Sequence, residues 1–380
     1  MTIAAKWLTL PETQAVCRML EDAGHQALFV GGCVRNELLE EPVGDIDIAT
    51  DAVPESVMAL AKSAGLKPIP TGIEHGTITV VSRGLPHEIT TFRRDVETDG
   101  RRATVAYATD IAEDARRRDF TMNALYARSD GAVIDPLGGL PDLMARRVRF
   151  IENPEDRIRE DYLRILRFFR FHAWYGQGGL DADGLAACAM LADGMTQLSR
   201  ERVGAETLKL LGAPDPAPSV AAMRMAGVLA RVLPGADDTF LAPLVHVEQG
   251  LGVSPGPLRR LAVLGGEDAT DRFRLSKAQA RQLDLLRTGM GAGFTACELG
   301  YRHGVDTGRD ILLLCATMEN RMVNNAEMSD LALGAGARFP VVATDLMPGL
   351  EGPALGRKLQ DLETRWIASR FKLSKRDLLG

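Results

Sequence analysis

The chain has 380 residues, of which 46% are hydrophobic and 25% charged, and its formal net charge is −6. This length exceeds that of one ordinary domain, so two or three domains are expected. No apolar run approaches the roughly 20 residues that cross a bilayer, so we expect neither a membrane span nor a signal peptide. The five cysteines are scattered without a CxxC motif. That pattern favours a reduced cytoplasmic compartment and argues against structural zinc.

The first third of the chain alternates between strand and helix patterns. A short apolar run ends at two glycines, a helical pattern follows, and a strand of alternating apolar and polar residues comes next. Two β-rich runs separated by turn-forming residues predict a hairpin. The predicted elements are strand 27–30, a helix to about residue 39, strand 45–50, helix 54–65, strands 76–82 and 87–92, a polar loop 93–106 and strand 133–136.

Only helical patterns follow residue 140, with breaks at 176–179, 213–219 and 254–257. An α/β or α+β N-terminal part followed by all-helical domains is therefore predicted. Positive charge is concentrated in two of the helical segments. Between Met144 and Trp174 there are eight arginines and five acidic residues. Between Arg357 and Arg376 there are seven Lys or Arg and two acidic residues. Such clusters fit either a polyanion-binding surface or a solvated helix face.

Asp45 and Asp47 stand two residues apart in a predicted strand. Alternate strand residues share a face, so both carboxylates project together while the neighbouring isoleucines point into the core. Two carboxylates this close repel one another unless a cation lies between them, and Mg²⁺ prefers carboxylate and phosphate oxygens. Glu88, on a strand that could pair with this one, would complete a two-metal site. The alternative for Glu88 is an ordinary solvent-facing strand residue.

Gly31 and Gly32 mark a strand-to-helix turn ahead of these acids. The backbone at such a turn can approach phosphates closely, and Arg35 lies one turn into the helix. Together with the acids, this arrangement predicts a phosphate cradle beside a metal platform. The alternative is an ordinary turn with surface acids. In RRRDFTMNAL, Arg118 could reach a triphosphate and Asp119 could accept from a ribose hydroxyl, although arginine-rich helix starts also occur on ordinary surfaces.

In EDYLRILRFFRF, Asp161, Arg164, Arg167 and Arg170 recur every three residues. This spacing predicts one slowly drifting face of a helix. Asp161 and Arg164 together present one acceptor and a set of donors. Cytosine and adenine offer an amino donor beside a ring-nitrogen acceptor, whereas uracil and guanine offer the reverse. A fixed pair could therefore accept C and A without a template. The alternative is an exposed helix covered with salt bridges.

With these segments assembled, the sequence resembles the bacterial class II tRNA nucleotidyltransferase (CCA-adding enzyme) and poly(A) polymerase family. The resemblance extends from about Phe29 to Leu211 in the family's order and spacing, and is looser in FPVVATDLM and GPALGRKLQDLE. The matching runs are VGGCVRNELL, GDIDIAT, TGIEHGTITVV, EITTFRRD, DGRR, RRRDFTMNAL, DPLGGLPDL, EDYLRILRFFRF and SRERVGAETLKLL.

The resemblance implies an α+β protein whose polymerase beta-like nucleotidyltransferase head has a small mixed sheet and precedes an all-α neck, body and tail. The implied boundaries are head 1–140 (catalytic), neck 141–213 (base recognition), body 214–335 and tail 336–380 (tRNA binding). The implied cofactor is Mg²⁺ at Asp45 and Asp47, with Glu88 as third carboxylate. The implied partners are tRNA, CTP and ATP, and no membrane.

The resemblance also implies roles for the remaining site residues. Gly31, Gly32, Arg35, Arg118 and Asp119 would contact the triphosphate and sugar. Asp161 and Arg164 would read the base, supported by Arg167 and Arg170, and the loop 93–106 would match the element that switches specificity from C to A.

Two departures concern residues near these positions. The family commonly has Asp where this chain has Asn36, which affects a salt bridge that would orient Arg35. The loop reads DGRRA where DGRRP is common. CCA addition is the expected reaction, because the basic run typical of the polymerases is replaced here by GLKPIPTGIEHGT. Poly(A) polymerase, a partial CC- or A-adding enzyme, and an inactive RNA-binding relative remain the alternatives.

Overall fold

The computed structural model describes residues 1–95, 105–347 and 349–380. Residues 96–104, which make up most of the predicted polar loop and include DGRRA, lie outside the described residues. The chain divides into two compact units, Met1–Thr196 and Gln197–Gly380. The boundary between them falls inside the predicted neck, and the finer division into head, neck, body and tail stays a prediction. No helix in the described ranges is both long and apolar enough to cross a membrane.

The N-terminal unit is built on a seven-stranded mixed sheet of order β3-β4-β5-β2-β1-β8-β9, with a separate two-stranded pair β6-β7. The β2/β5 pair is parallel, and the other strand pairs are antiparallel. The strands are β1 (Leu28–Val30), β2 (Asp47–Thr50), β3 (Lys67–Gly72), β4 (Thr77–Ser82), β5 (Leu85–Thr91), β6 (Arg93–Asp95), β7 (Val105–Tyr107), β8 (Tyr126–Ala127) and β9 (Val133–Ile134).

The predicted hairpin is confirmed, because β4 and β5 pair from Thr77 with Thr90 to Ser82 with Leu85. The chain reverses at Arg83 and Gly84, which both have positive φ, as short hairpin turns require. Strand β3 at the sheet edge was not predicted. The α+β class is confirmed, since every strand in the described part of the chain ends by Ile134.

Among the described residues of the N-terminal unit, eight α-helices accompany the sheet. One hydrophobic cluster joins β1 and β2 to the segments that follow β5, through buried side chains such as Val30, Phe92 and Tyr126. The helices are α1 (Pro11–Glu21), α2 (Gly32–Leu38), α3 (Pro54–Ser63), α4 (Ile111–Arg116), α5 (Leu140–Met144), α6 (Pro154–Glu160), α7 (Leu163–Tyr175) and α8 (Ala182–Leu191).

Helix α7 is anchored by its aromatic side chains. Phe168 is fully buried, and its ring stacks on Phe150 at 5.3 Å and lies 6.3 Å from Phe120. These apolar contacts fix the helix against the residues that follow α4, because a close-packed aromatic core leaves little room for displacement. The opposite side of α7 is therefore free to present its arginines.

The C-terminal unit contains only helices among its described residues. The predicted breaks at 213–219 and 254–257 are confirmed, because α9 ends before the first and α13 begins at the end of the second. The helices are α9 (Arg200–Leu211), α10 (Ala217–Met225), α11 (Val228–Val232), α12 (Leu241–Gly250), α13 (Pro257–Leu264), α14 (Ala269–Arg272), α15 (Lys277–Met290), α16 (Ala296–Met318), α17 (Asn325–Gly336), α18 (Gly352–Ala368) and α19 (Lys375–Leu379).

A buried ionic network joins three helices of this unit. Glu248 on α12 is 1% exposed and accepts hydrogen bonds from both Arg259 and Arg260 on α13. Arg260 also donates to the carbonyl oxygen of Leu211 at the end of α9. A buried charge is tolerated only when it is paired and fully hydrogen-bonded, and this network satisfies both guanidinium groups.

A second, aromatic cluster holds the last helices. Trp366 on α18 is 4% exposed and packs against the rings of Tyr301, Phe339 and Phe371. The Tyr301 hydroxyl donates to Glu363 at 2.6 Å. The basic segment from Arg357 to Arg376 is thus fixed to α16 by apolar packing.

Candidate active site

The structure brings the predicted acidic residues together on one side of the sheet. In the parallel pairing of β2 with β5, Asp47 lies directly opposite Glu88. The N–H of Glu88 donates to the carbonyl oxygen of Ile46, which continues this pairing toward Asp45. Burial raises the pKa of Asp47 to about 6, with further raising by Glu88 and Asp45 and lowering by Arg118. Three mutually repelling carboxylates therefore surround the start of β2.

These acids suit a divalent cation by their chemistry. Carboxylate oxygens are hard ligands. A cation among them would offset the burial that chiefly raises the pKa of Asp47 and would relieve the smaller repulsion from Glu88 and Asp45. In the described ranges, no three His, Cys, Asp or Glu side chains are already gathered in a metal-holding group. The acids are thus neighbours along the sheet, and their roles as metal ligands stay predictions.

The glycine turn lies between two arginines. Gly31 has a φ of 68° and precedes α2, which begins at Gly32. A Cβ on Gly31 would lie 3.3 Å from the Arg118 guanidinium, and one on Gly32 would lie 3.9 Å from the Arg35 guanidinium. Glycine is favoured at Gly31 because L side chains rarely adopt that backbone conformation. The turn, Arg35 and Arg118 therefore form one assembly.

Arg118 is held in place by two side chains that sequence analysis missed. Its guanidinium donates to Asp114 at 3.1 Å and to the Tyr126 hydroxyl at 3.2 Å, and Tyr126 donates to Asp114 at 2.7 Å. Although burial opposes the charged form, Tyr126 and Asp114 raise the pKa of Arg118. One quarter of its side chain is still exposed, so this cation is oriented and accessible.

Asp119 is buried, and both of its carboxylate oxygens are occupied. One oxygen accepts from the Asn123 amide and from the Phe120 N–H, each at 2.9 Å, and the other accepts from Arg167 at 2.7 Å. Burial would raise the pKa of Asp119, but Arg167 and Asn123 hold it below its usual range. The structure therefore shows Asp119 bracing Arg167. A hydrogen bond from a ribose hydroxyl would have to displace one of these donors, and that role stays a prediction.

The expectation that Asp161 lies on the same helix face as Arg164 is wrong. Helix α6 ends at Glu160, Asp161 is extended with φ −154° and ψ 105°, and α7 begins at Leu163. The Asp161 carboxylate accepts from the N–H of Leu163, and its carbonyl accepts from the N–H of Arg164. Asp161 thus precedes α7, whereas Arg164, Arg167 and Arg170 lie on α7 as predicted.

The arginines around this break hold the chain that carries Arg118. Arg157 donates to the carbonyl oxygen of Arg116 at 2.7 Å, and Arg164 donates to that of Arg117 at 2.8 Å. Arg164 also donates to Glu160 at 2.5 Å. The donors predicted to read a base are thus engaged in the free protein and would have to exchange partners to meet a nucleotide.

Three predicted arginines converge on one aromatic ring. The guanidinium carbons of Arg35, Arg167 and Arg170 lie 5.1, 5.2 and 4.5 Å from the centre of the Phe171 ring. The guanidinium carbon of Arg35 also lies 4.1 Å from the centre of the Tyr175 ring. Cations gather over aromatic faces because of the ring quadrupole. Phe171 and Tyr175 were missed because their spacing looked like that of core residues.

Comparisons with known proteins find similarity in sequence and in fold. Residues 27–149 match the family described as Poly A polymerase head domain, and residues 180–240 match one described as probable RNA and SrmB-binding site of polymerase A. The CCA-adding enzyme of Geobacillus stearothermophilus is 39% identical over 226 residues, covering 59% of this chain and 54% of the relative. That of Oceanobacillus iheyensis is 45% identical over 189 residues, covering 49% and 46%. The chain spans about half the length of the curated relatives it matches.

Solved structures extend the similarity along the whole chain. The Bacillus stearothermophilus CCA-adding enzyme in complex with CTP is 27% identical with a TM-score of 0.73, covering 95% of this chain and 94% of that one. The Thermotoga maritima CCA-adding enzyme complexed with tRNA is 19% identical with a TM-score of 0.69, covering 96% and 92%. At that identity, the second comparison shows the fold alone.

Proposed function

We propose that the chain adds CCA to the 3′ end of tRNA from CTP and ATP. The proposal is supported by the match of residues 27–149 to the Poly A polymerase head domain and by the similarity to CCA-adding enzymes. The observation that carries this proposal is the pairing of Asp47 with Glu88 beside Asp45 and Arg118, within the residues that match the head domain. The similarity to CCA-adding enzymes favours CCA addition over poly(A) synthesis.

Asp45, Asp47 and Glu88 are the residues that would hold divalent metal, for which we propose Mg²⁺. The match to the Poly A polymerase head domain supports a divalent ion, and the three carboxylates match the oxygen ligands that Mg²⁺ prefers. When bound, such ions polarise a phosphate and lower the pKa of a hydroxyl. Burial, and to a smaller extent repulsion from Glu88 and Asp45, disfavours the ionised Asp47 carboxylate, and a bound cation would stabilise it.

In the proposed reaction, the oxygen of the tRNA 3′-hydroxyl bonds to the α-phosphorus of CTP or ATP. The bond between that phosphorus and the bridging oxygen breaks, pyrophosphate leaves, and the hydroxyl proton is released to water. Arg35 and Arg118, which flank the glycine turn, would bind the phosphate chain. Arg118 is suited to this because Asp114 and Tyr126 fix its direction before the nucleotide arrives.

The experiment that tests the proposal uses three tRNAs, ending before CCA, after C and after CC, each incubated with one nucleotide at a time. We expect CTP to extend the first two and ATP to extend only the third. Repeated ATP addition to any RNA would establish a poly(A) polymerase instead. Addition of only CC, or of only the final A, would establish a partial enzyme, and no addition with intact RNA binding would contradict catalysis altogether.

Replacing Asp161 with Ala is expected to reduce base discrimination as well as rate. We propose that the carboxylate accepts from the amino group of C or A while Arg164 donates to the ring nitrogen. Uracil and guanine would place acceptor against acceptor, at about 1–3 kcal/mol for each unsatisfied buried group. We expect the ratio of CTP to UTP addition to fall by about tenfold or more.

The matched control is Asp156→Ala, which removes an exposed acid from α6 without touching the start of α7. It should leave nucleotide preference unchanged. An Asp161→Ala protein that lost rate equally for all four nucleotides would show that this residue only caps α7, in keeping with its bond to the Leu163 N–H.

The tail is proposed to bind the tRNA backbone. Several of its cations are already paired, Arg370 with Asp330 and Lys375 with Asp345. Arg357 and Arg365 on α18 are exposed, and no ion pair involves either in the described chain. Phosphate contacts release counterions, so tRNA binding should weaken steeply with salt.

Reversing the charge of both Arg357 and Arg365 to Glu is expected to weaken tRNA binding by about tenfold or more at low salt and to make its salt dependence shallower. CTP binding should be unchanged. Lys62→Glu, an exposed reversal at the end of α3, serves as control. Equal tRNA affinity in the double variant and in this control would show that the tail is an ordinary solvated surface and does not bind tRNA.

A further inference from the structure

Arg35 is the one predicted site arginine that is buried, and its hydrogen-bond partners in the described chain are all neutral. It donates to the Asn123 side-chain oxygen at 2.6 Å and to the Tyr175 hydroxyl at 2.9 Å. It also donates twice to the Asn36 side-chain oxygen, at 3.0 and 2.8 Å. Within the described residues, no carboxylate forms an ion pair with Arg35.

The neighbouring arginines differ in this respect. Arg118 is paired with Asp114, and Arg167 is paired with Asp119. A buried cation without a hydrogen-bonded counter-charge retains part of its desolvation cost in the free protein, and an arriving anion recovers part of that cost. The Asp119 carboxylate favours the charged form of Arg35, but its ion pair is with Arg167. Arg35 is therefore poised to interact more strongly with an anion than its paired neighbours are.

Asn36 has the geometry of a residue that orients Arg35 without neutralising it. Its oxygen accepts from two nitrogens of the guanidinium, as a carboxylate would, while its own amide group donates to the Pro42 carbonyl at 2.7 Å. This second bond fixes which end of the amide faces Arg35, because a donor is required toward Pro42. The Arg35–Asn36 pair therefore has the geometry of an Arg–carboxylate salt bridge, but the charge of Arg35 is not neutralised by Asn36.

The unpaired charge lies beside the glycine turn. The Arg35 guanidinium would be 3.9 Å from a Cβ on Gly32, and the Arg118 guanidinium 3.3 Å from one on Gly31. An anion at this turn would meet both guanidinium groups and no side chain of the two glycines.

We propose that Asn36 is a positioning residue that keeps Arg35 unpaired for the phosphate chain of the incoming nucleotide, so that the site recognises a di- or triphosphate by itself. This inference rests on the proposed function, because the phosphate chain is assigned to CTP or ATP. It goes beyond that function because it states that the affinity for phosphate depends on residue 36 being a neutral amide.

The test compares Asn36→Asp with Asn36→Ala by titrating the full chain with inorganic tripolyphosphate in the presence of Mg²⁺. Both variants lose the bond to the Pro42 carbonyl, so that loss is matched. Aspartate can retain both bonds from Arg35 but cancels its charge, whereas alanine loses both bonds but leaves the charge. We expect Asn36→Asp to weaken tripolyphosphate binding by about tenfold and Asn36→Ala by only about threefold. A purely structural role for Asn36 would produce the reverse order.

The control for one added negative charge is Gln26→Glu, the same amide-to-acid change at an exposed position of the N-terminal unit. It should bind tripolyphosphate as the wild type does. Cytidine, which carries no phosphate, should bind equally to all four proteins. Asn36→Asp binding within twofold of the wild type, or more tightly than Asn36→Ala, would overturn the inference. Tripolyphosphate carries no base, and the titration contains no tRNA. The titration therefore tests the role of Asn36 even if the protein proves not to add CCA.

Discussion

Replacing Asp47 with Asn is expected to reduce nucleotide addition by about a thousandfold or more, because several kcal/mol of transition-state stabilisation depend on the metal that this carboxylate would hold. Asn has the same shape, so the parallel pairing of β2 with β5 should persist. The measurement is single-nucleotide extension of tRNA ending before CCA. Asp130→Asn is the control, since its exposed side-chain oxygen can still accept from the Ala132 N–H.

The same variant should not lose stability, and this separates a catalytic defect from a folding defect. The pKa of Asp47 is raised to about 6, so the ionised carboxylate disfavours the folded state above that pH and has little effect below about pH 4. At pH 7 in chelator, Asp47→Asn should therefore melt no lower than the wild type. Substantial turnover by Asp47→Asn, or full wild-type activity in excess chelator, would contradict the metal proposal.

The largest expected effect on stability comes from Glu248→Gln. The substitution preserves shape but removes the only charge that both Arg259 and Arg260 share, at 1% exposure. Removing one partner of a buried ion pair typically costs about 3–5 kcal/mol, since the remaining charge stays buried. Because Arg260 also holds the carbonyl oxygen of Leu211, we expect α9 and α13 to loosen together.

The measurement is the free energy of unfolding in urea, followed by circular dichroism. Glu319→Gln is the control, because its partner Arg321 is on the surface and the Glu319 side chain is 59% exposed. Surface pairs contribute about 1 kcal/mol or less, so this variant should be close to wild type. A Glu248→Gln protein within 1 kcal/mol of the control, by the same measure, would show that Asp310 and the carbonyl acceptors suffice for the two arginines.

Local patterns in the sequence predicted the strands that carry the site. Alternation predicted β2, β4 and β5, and the glycine pair predicted the turn before α2. Strand β3 was not predicted because its sequence, KPIPTG, contains two prolines, which argue against a central strand. As an edge strand, β3 tolerates them.

The break between α6 and α7 could not be read from periodicity. Asp161, Arg164, Arg167 and Arg170 recur every three residues, and no glycine or proline near Asp161 marks the interruption. The partners of Arg35 were equally hidden, since Asn123 and Tyr175 lie 88 and 140 residues away along the chain. Long-range contacts of this kind depend on how the elements pack, which no local pattern records.

The contacts of Arg157 and Arg164 with the chain before Asp119 constrain substitutions unequally at the two ends. Their acceptors are the backbone carbonyl oxygens of Arg116 and Arg117, which every amino acid possesses, even proline. Side chains at 116 and 117 can therefore change over evolutionary time without removing these bonds. Arg157 and Arg164 have no such freedom, because a shorter or single-headed cation such as lysine cannot reproduce the donor fork. We therefore expect natural variation at positions 116 and 117, and little at Arg157 and Arg164.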